Sequence, residues 1–157
     1  MSHKSVRDLF KDVSNSIADN IQFTYARKSD FNALKDKRYP FIQLDPLTRS
    51  LEFVSYTGTS HWPVALSFFE KDDPQGAEQQ TQDILDQTSD LVDKWIRKLN
   101  LIQLEEDTTI AISTSNTVIG TVTISSFVKV TTDCLTGWTV EFDFETPDDF
   151  DYCSVYE

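Results

Sequence analysis

Residues 137–145, GWTVEFDFE, alternate without a break: Trp138, Val140, Phe142 and Phe144 fall on one side of an extended chain, Thr139, Glu141, Asp143 and Glu145 on the other. A period of two is the mark of a strand with one dry face and one wet face. Wound as a helix, the same residues would scatter aromatics and acids around every side. The segment therefore requires a sheet with its core on one face and carboxylates on the other. A second layer must cover the aromatic face.

Two stretches can supply that layer. In residues 5–23, Val6, Leu9, Phe10, Val13, Ile17 and Ile21 recur at steps of three and four, which predicts an amphipathic helix with Ser5 as its N-cap. In residues 77–101 the stripe is Ile84, Leu85, Thr88, Leu91, Val92, Trp95, Ile96 and Leu99, with acids early and Lys94, Arg97 and Lys98 late, as the helix dipole favours. Trp95 on that stripe reads as core.

Strand signals occupy 39–45, 50–57 and 62–70, the first two joined by a turn around Pro46. Further strands are expected over 108–112 and 117–133, the latter returning through CLTG into 137–145 as a hairpin. Residues 24–40 carry no sustained period and read as a loop. The expected architecture is α+β, a mainly antiparallel β-sheet with two amphipathic helices packed on one face. It is a single domain over 1–157, with a flexible N-terminus at 1–4 and an acidic C-terminal tail at 147–157. Eleven Phe, five Tyr and three Trp in 157 residues give that domain ample core.

Charge is the second constraint. The net charge is −12, which argues against general nucleic-acid binding. It is unevenly spread: residues 1–40 hold eight Lys or Arg against five Asp, and residues 41–157 hold six against twenty-one acids. One end is mildly basic, through Arg27, Lys28, Lys35, Lys37 and Arg38. The other is strongly acidic, through Glu141, Asp143, Glu145, Asp148, Asp149 and Asp151. These two sets form the candidate inter-subunit interface, since unlike patches on one chain suit a head-to-tail contact that closes into a ring.

Catalytic patterns are scarce. The four glycines are too dispersed for a phosphate-binding loop or a dinucleotide fingerprint. His3 and His61 are the only histidines, and Cys134 and Cys153 the only cysteines, with no close-spaced pair for a structural zinc. The strand between the cysteines spans roughly 25–30 Å, against the ~7 Å a disulfide tolerates, so free thiols are expected. Asp148, Asp149 and Asp151 offer oxygens to calcium but lack the glycine and terminal glutamate of an EF-hand loop. A glycosidase pair needs a carboxylate raised by an apolar pocket, and the acids here fall on faces expected to be exposed. The expectation is a non-enzyme with no cofactor and no metal. The chain also has no leading apolar stretch and no run near ~18 apolar residues, so synthesis in a cytoplasm is expected.

The sequence of elements, together with FFEKDDPQG ahead of the long helix and the ending GWTVEFDFETPDDFDYC, resembles the tail terminator and tail-completion (head–tail neck) proteins of tailed bacteriophages, of the type found in phages and prophages of Bacteroidetes hosts. The resemblance implies a structural virion protein of the neck or tail end, made in the host cytoplasm. Its implied partners are its own copies, in a ring of six or of twelve, and neighbouring portal, neck or tail proteins. Genomic DNA would pass through the channel without sequence-specific binding, and no membrane is involved. An acidic channel wall suits that passage, because affinity for phosphate comes chiefly from Lys and Arg. Two other readings remain open at this point: a monomeric acidic binding module or DNA mimic docking on a basic host protein, and a metal-dependent hydrolase using Asp148, Asp149 and Asp151.

Overall fold

A computed structural model describes residues 2–26, 40–54, 57–103 and 120–148. Among them the chain forms α1 (His3–Ile17), β1 (Gln22–Tyr25), β2 (Phe41–Leu44), β3 (Ser50–Val54), β4 (Thr57–Lys71), α2 (Glu78–Gln103), β5 (Thr123–Val130) and β6 (Leu135–Asp148). The strands make one mostly antiparallel sheet in the order β1-β2-β4-β6-β5, with β3 also paired to β4. The fold is α+β, as the sequence predicts. The expected strand at 108–112 and the basic residues Arg27, Lys28, Lys35, Lys37 and Arg38 lie outside the described residues.

The sheet is built on its two longest strands. All 14 residues of β6 pair with β4, from Leu135 opposite Lys71 to Asp148 opposite Gly58. That register places Trp62 beside Phe144, Val64 beside Phe142, Leu66 beside Val140 and Phe68 beside Trp138, all on one face. Ile42 and Leu44 of β2 join them. Val6, Leu9, Phe10 and Val13 of α1 and Val92, Trp95, Leu99 and Ile102 of α2 close over this face to form the main core.

At its centre the Phe10 ring lies 5.5 Å from Trp95 and 5.3 Å from Phe144, tilted or edge-on in the manner aromatic quadrupoles favour. The buried Trp95 Nε1–H donates to Ser14 Oγ at 3.0 Å, which ties the two helices and satisfies the indole.

Several boundaries differ from the sequence reading. The N-cap of α1 is Ser2, whose Oγ accepts from Ser5 N at 3.1 Å, so the helix begins earlier than Ser5. It stops at Ile17, with Ala18 extended and a turn at Asp19–Asn20, residues whose side chains compete for the backbone. Ile21 keeps its place against the core without being helical.

Directly after it comes β1, in a segment expected to be helix end and loop. β1 runs parallel to β2, from Gln22 opposite Phe41 to Tyr25 opposite Leu44. α2 extends to Gln103, so Lys94, Arg97 and Lys98 stand before its last turn.

Pro46 does not reverse the chain between β2 and β3. Both strands run along the same edge of β4, and the register slips by one residue between Leu44 opposite Leu66 and Ser50 opposite His61. The pair is one interrupted strand. Pro46 lacks an N–H and marks the interruption, as a bulge tolerates.

The β5–β6 connection is the turn at residues 131–134, upstream of the expected CLTG. Its chain reversal puts Thr131 and Cys134 at positive φ, and Lys129 at the adjoining bulge likewise. Cys134 is buried and its thiol is free, while Cys153 lies outside the described residues.

Candidate functional site

The second face of the sheet has no helix over it among the described residues. One end of it is dry: Phe41 stacks on Phe69 at 5.3 Å, with Leu135 and the half-buried Phe127 beside them. The cavity there is about 30 Å³, room for a single water. The other end is wet and acidic.

Along β4 and β6 the odd-numbered residues alternate out of the core, so His61 faces Glu145, Pro63 faces Asp143 and Ala65 faces Glu141. Glu141, Asp143 and Glu145 thus share one face, as their spacing predicts. Asp45 and Thr123 flank Glu141 and Asp143 along a shallow groove over Pro63 and Ala65. Asp148 ends β6 opposite Gly58, while Asp149 and Asp151 lie outside the described residues.

Sequence reasoning did not anticipate the centre of this surface. His61 Nε2 donates to Glu52 Oε2 at 3.0 Å. Its Nδ1 stands 3.3 Å from Asp143 Oδ2 and 3.4 Å from Glu145 Oε1. Three strands contribute: β3 brings Glu52, β4 His61, and β6 the two remaining acids.

The imidazole is largely covered, with 24% of the side chain exposed, whereas Glu52 is 65%, Asp143 51% and Glu145 39% exposed. Burial by itself lowers the His61 pKa. Hydrogen bonds to Asp143 and Glu52 and the charges of Glu145 and Asp143 outweigh it, and hold the ring above the ordinary histidine value of 6.5. The available signal was parity: His61 precedes the inward-facing Trp62, so it must point to the acidic side. Its partners, however, depend on a register set by residues 84 positions away.

One acid departs from the expectation that all are exposed. Asp72, 2% exposed, sits where β4 leaves the sheet. Its Oδ2 accepts from Thr81 Oγ1 and from Thr136 Oγ1, each at 2.8 Å, and its Oδ1 accepts from Asp73 N at 2.8 Å. Burial pushes its pKa up. The hydrogen bonds from Thr81, Thr136 and Asp73, with the Lys129 charge, prevail and hold the carboxyl below its ordinary value. Asp72 is a joint between β4, α2 and β6. Glu70 nearby is partly buried, and that burial pushes its carboxyl up.

No protein-family model matches the chain, and no curated protein matches it at a significant level.

Proposed function

We propose that this chain is a structural subunit of a tailed-bacteriophage neck or tail end, one that joins its own copies head to tail in a ring around the DNA channel. The observation that carries the reading is the division of the sheet: both helices cover one face, and carboxylates of β3 and β6 crowd the other around His61 of β4. A surface of this kind suits docking against a basic patch or lining a passage for a polyanion, since it presents charge without an enclosed cleft for a substrate. The basic segment carrying Arg27, Lys28, Lys35, Lys37 and Arg38 is the complementary half of the contact between copies.

A charge swap tests the pairing. The double variant E141K/D143K is expected to abolish self-association, and so is K35E/K37E. A mixture of the two is expected to regain association, because each variant's face then meets an oppositely charged segment on the other. If neither variant alters association, the acidic face is not the interface. Association of the unaltered chain with basic host proteins alone, without self-association, would favour the monomeric acidic binding module.

A further inference from the structure

We infer that His61, Asp143 and Glu145 form a binding site for a divalent transition cation of the zinc type, with Glu52 as the positioning residue behind the imidazole. The donor atoms of the three ligands lie within 4.8 Å of one another. Two donors on a tetrahedral ion, each about 2.1 Å from it, stand about 3.4 Å apart. His61 Nδ1 stands 3.3 Å from Asp143 Oδ2 and 3.4 Å from Glu145 Oε1. These separations are long for a strong hydrogen bond between a nitrogen and a carboxylate, and they match two edges of a tetrahedral ligand set.

The other ring nitrogen supports the same assignment. A metal-bound histidine needs its second N–H held by an acceptor, which sets the tautomer and raises the basicity of the ligating nitrogen. Nε2–H donates to Glu52 Oε2 at 3.0 Å, which leaves Nδ1, aimed at Asp143 and Glu145, as the nitrogen that gives up its proton to bind an ion. The ligands are held by paired strands, His61 directly opposite Glu145, so the backbone presents the donors together before any ion arrives. One nitrogen with carboxylate oxygens suits zinc, cobalt or manganese better than calcium, which prefers six to eight oxygens. Solvent supplies the fourth position, since Asp143 and Glu145 are both substantially exposed. Binding displaces the Nδ1 proton into solvent and leaves the Nε2 proton on Glu52's hydrogen bond. The site is complete within one chain and does not depend on ring formation.

The test is titration of the metal-free full chain with zinc ions, followed by calorimetry at pH 7.5, with cobalt absorption in the visible as a second readout. One saturable equivalent is expected. D143N and E145Q should each weaken it by about tenfold or more, and E52Q should weaken it by about 10–100-fold without removing a ligand. E141Q, on the same face but outside the ligand set, should leave it unchanged. The nitrogen resonance of His61 Nδ1 should shift on zinc addition, and that of Nε2 far less. Absence of saturable binding would overturn the inference, as would binding that D143N and E145Q leave intact. These substitutions are on exposed side chains, and circular dichroism of each variant verifies that its fold is kept.

Discussion

Gly137 lies against the Phe68 peptide so closely that a Cβ there would collide with the Phe68 carbonyl oxygen and stand 2.7 Å from Phe69 Cα. The contact falls inside the β4–β6 ladder, where Gly137 pairs with Phe69, and the atoms in the way are backbone. They cannot turn aside as a side chain could. Gly137→Ala is therefore expected to cost roughly 3 kcal/mol or more, at the severe end for a single substitution. Urea unfolding measures it, and a loss below 1 kcal/mol would mean that the two strands can part without penalty.

Asp72 links stability to acid. Its carboxyl titrates below the ordinary 3.8 in the folded chain, so the unfolded chain takes up the proton first as pH falls. The stabilisation is complete above the unfolded value and is lost as pH drops through the lower folded value. Asp72→Asn should therefore unfold with a flatter acid limb below about pH 4. Asp72→Ala, which leaves the Thr81 and Thr136 hydroxyls and the Asp73 amide without their acceptor, should cost roughly 2–4 kcal/mol at neutral pH.

The helix seam gives a graded pair. Trp95→Phe removes the N–H that reaches Ser14 Oγ but keeps most of the ring, and about 1–2 kcal/mol should be lost. Trp95→Ala also opens a cavity facing Phe10, Phe68 and Phe142, and about 3–5 kcal/mol should go. Equal costs for the two would mean that the hydrogen bond, and not the packing, holds the seam.

The β5–β6 turn offers a stabilising change. Thr131 has φ 66°, a left-handed conformation that a β-branched residue resists. Thr131→Gly should raise the stability by about 1 kcal/mol, as glycine adopts this geometry without a Cβ clash. Thermal unfolding shows the direction.

What could be read from the sequence was whatever had a local period. The alternation of β6 and the stripe of α2 each contain their own burial pattern, so the two faces of the sheet and the Trp95 core position were legible. β1 was not: its four residues are all half-buried, with no alternation, and its support is a parallel pairing with β2 across the chain. Pro46 carried turn chemistry, but β4 holds β2 and β3 along one edge and converts the expected turn into an interruption. The carboxylates of the open face were legible through parity. His61 and Glu52 were not linked to them, because only the β3–β4 and β4–β6 registers bring the four side chains together. Nothing local marks Asp72 as buried, since its donors Thr81 and Thr136 come from α2 and β6.

Pairing of copies through the acidic open face, as proposed, sets the native mass of the chain in solution. Light scattering after size exclusion, at low and high salt and over a range of concentrations, measures the native mass. A discrete species at a whole multiple of the 18.0 kDa chain is expected, with six copies the first expectation, dissociating as salt rises and the paired charges are screened. A mass of one chain at every salt and concentration would contradict it.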